Sequence, residues 1–127
     1  MDIKKLVMKE EVPSIQTPEE LAEKIASFLL DKKAKDIKII NLKGKTIVSD
    51  YFVVCSATST THVRALADYV DEKLSKEYGL EPRGRDFDTK WVAVDYNSVI
   101  LHVFHHETRE FYNLERLWDD GDNIRII

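Results

Sequence analysis

The chain has 127 residues, 43% of them hydrophobic and 33% charged, which fits one soluble domain able to bury its own core without metals or disulfides. The longest uncharged apolar runs fall far short of a membrane span, and the opening MDIKKLVMKEEV lacks both the apolar centre of a secretory signal and the Arg/Ser-rich look of a transit peptide. A net charge of −4 disfavours a general nucleic-acid binder, and the single cysteine, Cys55, cannot form an internal disulfide, so a reducing compartment and a cytoplasmic location are expected.

Residues 1–16 read as an N-terminal extension, 17–120 as the domain and 121–127 as a C-terminal tail. Thr17 offers a helix N-cap, with Pro18 at the first helical position and Glu19 and Glu20 in the first turn. Leu21, Ile25, Phe28 and Leu29 recur at helical spacing, which predicts a helix to about Lys33. DIKIINL (36–42) is a strand with isoleucines on both faces, and Gly44 follows as a turn. DYFVVCS (50–56) is apolar on both sides, as a central strand should be. Ser59 or Thr60 caps a second helix marked by Val63, Leu66, Ala67, Val70 and Leu74, with Gly79 just past its end. EPRGRDFD is a loop or a short edge strand interrupted by Pro82. WVAVDYNSVILHVF (91–104) predicts a hairpin about Asn97-Ser98, and ETREFYNLERLW a last helix with Phe111, Leu114 and Trp118 on one stripe. The tail DDGDNIRII breaks that helix at Gly121. The sum is an α/β fold, a mixed sheet flanked by helices.

A two-residue turn pairs Asp95 with Ile100, Ala93 with His102 and Trp91 with Phe104. Side chains alternate across a strand, so Val92, Val94, Tyr96, Val99, Leu101 and Val103 share one face, and burying each aliphatic stabilises by roughly 1.5–3 kcal/mol before entropy. That face is the core. The other shows Trp91, Ala93, Asp95, Ile100, His102 and Phe104. Rigid aromatics beside a few polar anchors are the composition of interface hot spots. Two readings stay open: the face meets a partner, or the following helix folds over it with Asp95 and His102 paired.

Other chemistry is thinly signalled. Gly44-Lys45-Thr46 resembles the end of a phosphate-binding loop, but Ile39 stands where the loop needs its first glycine. Asp86 and Asp88 share a side of any extended segment and could hold a divalent metal, although such pairs abound in solvated loops. His102 and His106 lie too far apart along a strand to chelate one ion, and Cys55 sits in an apolar run where a thiol is an inert hydrophobe. Lys32, Lys33, Lys35, Lys38, Lys43 and Lys45 surround the first strand; they could contact RNA, but a lysine-guarded sheet edge is the simpler account.

Two segments carry a resemblance. Asp50-Tyr51-Phe52-Val53, Thr58-Ser59, His62-Val63 and Ala67-Asp68 form the first. Trp91-Val92, Asp95-Tyr96, Val99, His102-Val103-Phe104, Arg109, Phe111-Tyr112, Leu114-Glu115 and Leu117-Trp118 form the second. Together they resemble the ribosomal silencing factor, or Iojap-related, family, over about residues 17–120. Gly84-Arg85 departs from the family's usual Glu-Gly, and Asn97-Ser98 replaces its usual Gly-Asp turn. The resemblance implies a nucleotidyltransferase-like fold without the catalytic carboxylates, and a non-enzymatic mechanism with no cofactor, metal or catalytic residue. It implies binding to the fourteenth protein of the large ribosomal subunit, at the surface that meets the small subunit, so that subunit joining is blocked and translation repressed. A secondary ribosomal RNA contact is compatible with the lysines; a membrane partner is not expected, and monomer and weak homodimer both stay open. From register and composition, the partner-binding set is Trp91, Asp95, His102, Phe104, Tyr112, Glu115, Trp118 and Asp119. The competing functions are a metal-dependent nucleotidyltransferase using Asp86 and Asp88, and an RNA-binding module using the lysines.

Overall fold

In the computed structural model, residues 14–127 are described. Helix α1 spans Pro18–Asp31; the Thr17 hydroxyl accepts the Glu20 N–H at 3.1 Å, and Pro18 occupies the first turn. Strands β1 (Lys35–Asn41) and β2 (Tyr51–Ala57) follow, then α2 (Thr60–Tyr78). Ser59 caps α2 by accepting the His62 N–H at 3.0 Å, and Gly79 ends it at φ 64°, a conformation only glycine adopts without cost. Next come β3 (Gly84–Phe87), β4 (Trp91–Asp95), β5 (Val99–His105), α3 (His106–Tyr112), α4 (Leu114–Trp118) and β6 (Ile124–Ile126).

The six strands form one sheet in the order β3-β4-β5-β2-β1-β6. β2 and β5 run parallel and every other pair is antiparallel, which makes the sheet mixed. All seven residues of β2 are buried, as its two-sided apolar pattern requires of a central strand. The hairpin has the expected register, Trp91 to Phe104, Ala93 to His102 and Asp95 to Ile100, with Asn97 at φ 74° in its turn. Period-two alternation divides the strands between two layers. Val53, Cys55, Val92, Val94, Val99, Leu101 and Val103 pack against α1 and α2 in the main core. Ile40, Leu42, Phe52, Val54 and Phe104 form a smaller core on the opposite face, beneath Leu114 and Trp118.

Three expectations need correction. Within the C-terminal tail, whose order the sequence leaves open, residues 124–126 form β6 and pair with β1, which is therefore an internal strand and not a lysine-guarded edge. The last helix is broken in two, because Asn113 adopts φ 47° and ends α3 before α4 begins. The stripe of Phe111, Leu114 and Trp118 is split with it: Phe111 is 82% exposed, while Leu114 and Trp118 pack on the smaller core. Residues 1–13 of the expected extension lie outside the described residues; Ile15 packs against the main core.

Candidate partner-binding face

The hairpin's outer face is partly roofed by α3 and α4, so both readings of it apply to different residues. Phe104 is fully buried, with Trp91 stacked on it at 4.7 Å between ring centroids and 28° between planes. His102 is 7% exposed, set edge-on to Phe52 at 4.6 Å. These two members of the expected contact set have no surface to offer; the helix turn at Asn113 carries Trp118 over them, to 6.1 Å from the Phe52 ring. They support Trp91 from below. The Trp91 indole N–H donates to Nδ1 of His102 at 3.1 Å, which places the imidazole proton on Nε2 and keeps the ring neutral. Burial pushes the His102 pKa down to about 4, so it stays uncharged at physiological pH.

The roof is fastened by a charge that periodicity did not reveal. Arg109 of α3 is 7% exposed. Its Nε donates to Glu115 Oε1 at 2.7 Å, and its Nη1 to the Asp36 carbonyl at 2.6 Å and the Ser56 hydroxyl at 2.9 Å. Glu115 also accepts from Lys38 Nζ at 3.1 Å. Burial would raise the Glu115 pKa, but the hydrogen bonds and charges of Arg109 and Lys38 outweigh it and hold the carboxyl below its ordinary value. Glu115, expected at the interface, is committed inside the protein. The polar Ser56 within an apolar strand was the one sequence sign of this network.

What remains exposed is aromatic and acidic. Tyr112 is 53% exposed and meets Trp91 at 5.1 Å, with the rings tilted by 47°. Phe111 lies beside Tyr112 at 5.2 Å, and Leu117 is 74% exposed. Trp91 and Tyr112 line a cleft of about 420 Å³ with Asp86, Phe87, Asp88, Lys90, Ala93 and Thr108. Asp95 lies half-buried at the end of β4, 3.8 Å from Arg83, and Asp119 is exposed after α4. Trp118 is partly buried and belongs mostly to the smaller core.

The other sequence signals disperse. Cys55 is fully buried and its thiol pKa is pushed up to about 12, as suits an inert core side chain. Among the described residues no group of three or more His, Cys, Asp or Glu side chains gathers as a metal would require. Of the lysines, Lys38 is bound to Glu115 and Lys45 to Asp120, while Lys32 and Lys43 sit over Tyr69 and Tyr51. No helix among the described residues is long and apolar enough to cross a membrane.

The family model described as "Ribosomal silencing factor during starvation" matches residues 15–126. The chain belongs to this family. It is 39% identical over 93 residues to ribosomal silencing factor RsfS of Bacillus subtilis, covering 72% of this chain and 78% of that protein. It is 35% identical over 99 residues to mouse mitochondrial assembly of ribosomal large subunit protein 1, covering 74% of this chain and 43% of the mouse protein. A crystal structure of a Chromobacterium violaceum protein superposes with a TM-score of 0.77 at 30% identity, over 81% of this chain and 87% of that one. The resemblance carried by the two sequence segments is thereby shown, as is the mixed α/β architecture. This family of silencing factors is a regulatory one, and the second segment is divided between the two layers: Val92, Tyr96, Val99 and Val103 lie in the main core, while Trp91, Phe104, Leu114 and Trp118 belong to the smaller core and its roof.

Proposed function

We propose that the protein silences ribosomes by binding the large subunit and preventing its union with the small one, without catalysing a reaction. The docking partner is a basic ribosomal protein, the fourteenth of the large subunit by family resemblance. The observation that carries this reading is the cleft where the exposed Tyr112, with Phe111 beside it, meets the half-buried Trp91 and the carboxylates of Asp86 and Asp88; Leu117 and Asp119 are also exposed. Exposed aromatics on a rigid support anchor by desolvation, while surrounding acids give orientation and on-rate towards a basic surface. The mouse relative's name ties it to assembly of the mitochondrial large subunit, which agrees in subunit if not in compartment. A secondary contact with ribosomal RNA would fall on Lys33 and Lys35, the lysines of the cluster with no ion pair or aromatic partner among the described residues.

Sedimentation of purified subunits tests the proposal. The protein should travel with the large subunit and reduce formation of joined ribosomes, and a Phe111→Ser, Tyr112→Ser variant should do neither while remaining folded. A protein that stays at the top of the gradient, or rides on the large subunit without affecting joining, refutes it.

A further inference from the structure

We infer that the cleft between α3 and the β3–β4 turn is a receptor for one arginine side chain of the basic partner; this rests on the reading above and names the group that would be gripped. The cleft's volume, about 420 Å³, lies at the small end of the range for ligand sites and exceeds what one side chain needs. Its walls are the rings of Trp91 and Tyr112, tilted by 47° so that they converge, with Phe87 and Ala93 beside them. Asp86 and Asp88, both exposed, line it as well.

Several other carboxylates are already neutralised within the chain. Asp68 and Asp71 hold Arg85, Glu72 holds Lys76, Glu77 holds Lys73, and Glu23 holds Arg125. Asp86 and Asp88 have no ion-pair partner among the described residues, and Asp88 accepts only the backbone N–H of Lys90, at 3.0 Å. This unpaired couple lies beside aromatic faces, in one cleft with them. A cation is the complementary occupant, since a phosphate-bearing nucleotide would be repelled by the same pair. Arginine fits better than lysine: its guanidinium is planar and weakly hydrated, it stacks on aromatic rings, and its fork of donors can serve two carboxylates together. The walls are also set in advance. Trp91 is clamped by its stack on Phe104 and its hydrogen bond to His102, so little side-chain freedom is lost on binding. Lys90 is the one basic side chain lining the cleft, and it opposes the incoming charge. It therefore acts as a brake on affinity.

Titrate the isotopically labelled full chain with acetyl-Gly-Arg-Gly-amide and follow the Trp91 indole N–H and the Tyr112 amide by NMR. A saturable shift confined to the cleft is expected, weakened by about tenfold or more in Asp86→Asn/Asp88→Asn and strengthened about threefold in Lys90→Gln. The lysine peptide should bind more weakly and the citrulline peptide, neutral but of the same shape, should not bind. An equal response to citrulline, no saturable response to arginine, indifference to the aspartate variant, or a preference for uridine monophosphate would each overturn the assignment. Both aspartates are exposed, and Asn keeps the turn's acceptor at position 88, so a melting curve matching the parent confirms that folding is not at issue. Sedimentation separates the two levels. If the parent binds the large subunit and the aspartate variant binds equally well, the arginine receptor is wrong and the docking face survives. If the parent does not bind the subunit at all, the docking reading is wrong, and the peptide titration alone judges the cleft.

Discussion

On the face of the sheet covered by α1 and α2, the inward side chains are Tyr51, Val53, Cys55, Ala57, Val92, Val94, Val99, Leu101 and Val103, beneath helices of 14 and 19 residues. On the face covered by α3 and α4, the helices have seven and five residues, and the layer includes an imidazole, a serine and a guanidinium. Helices so short gain little from their own hydrogen bonds, so they stay in place through what they touch. The first face is filled and closed. The second is fastened by a few polar contacts and leaves apolar groups facing outward. The proposed docking side is thus fastened by Arg109 where the other is held by packing.

That contrast is broken most directly at its fastening. Arg109→Ala leaves Glu115 with Lys38 as its one cationic partner and removes the donors to Ser56 and the Asp36 carbonyl. Leaving buried acceptors unsatisfied costs about 1–3 kcal/mol, so urea unfolding should register a loss near the top of that range from a single residue on the smaller face. Arg109→Lys should recover only part of it, because an ammonium cannot reproduce the three-directional fork. A loss under about 1 kcal/mol would mean that the roof is held by packing after all. On the filled face, Leu66→Ala empties a site with no exposure and should cost roughly 3–4 kcal/mol while leaving ribosome binding per folded molecule unchanged.

The same division separates what could be read from the sequence and what could not. The caps at Thr17 and Ser59, the stop at Gly79 and the register about Asn97 are local, so a few neighbouring residues declare them. Alternation sorted the hairpin's side chains into two sets correctly. It could not say which distant segment lies over the second set, and so Phe104 and His102 were expected at a surface where they are not. Asn113 did carry a signal, since asparagine tolerates the left-handed conformation that splits α3 from α4, but the apolar periodicity continued through it and won. β6 is three residues long and is stabilised by pairing with β1, some eighty positions earlier, which no local pattern records. The structural role of Arg109 had no local signal, because its three partners come from three other places in the chain. Asp86 and Asp88 are indeed solvated, as expected; their neighbours Trp91 and Tyr112 become visible only once α3 folds back.

The imidazole gives the smaller face a dependence on pH that the filled face lacks. Unfolded, His102 takes up a proton near pH 6.5; folded, it resists until about pH 4. Between those values the unfolded chain binds more protons, so stability falls as the solution is acidified through that window. The full difference amounts to about 3 kcal/mol at pH 4 and none of it is felt at pH 7 or above. Glu115, whose pKa is lowered, loses its contribution only as the pH falls from the ordinary glutamate value towards its depressed one, so most of the His102 effect comes first. Melting temperatures measured from pH 7 to pH 4 should decline in the parent and decline less in His102→Phe, whose ring can stack but not titrate. Parallel curves would show that the imidazole is not held neutral under the roof.

The smallest effect on stability should accompany a large effect on recognition. Phe111 and Leu117 project from α3 and α4 with 82% and 74% of their surface exposed, so the fold gains almost nothing from them. Replacing each by Ser should change the unfolding free energy by no more than about 0.5 kcal/mol, within the usual range for exposed positions. A side chain that anchors an interface typically costs about 2 kcal/mol or more when truncated, so large-subunit binding should weaken by about thirtyfold. The comparison would fail in the opposite pattern: a Phe111→Ser protein that binds normally but unfolds easily would mean that this ring is core packing in solution. Such a result would require α3 to turn its outer side inward, and that rotation would draw Tyr112 out of the cleft it shares with Trp91. Unfolding and binding measured on the same two variants therefore decide whether the exposed aromatics are unfinished packing or a surface built for another molecule.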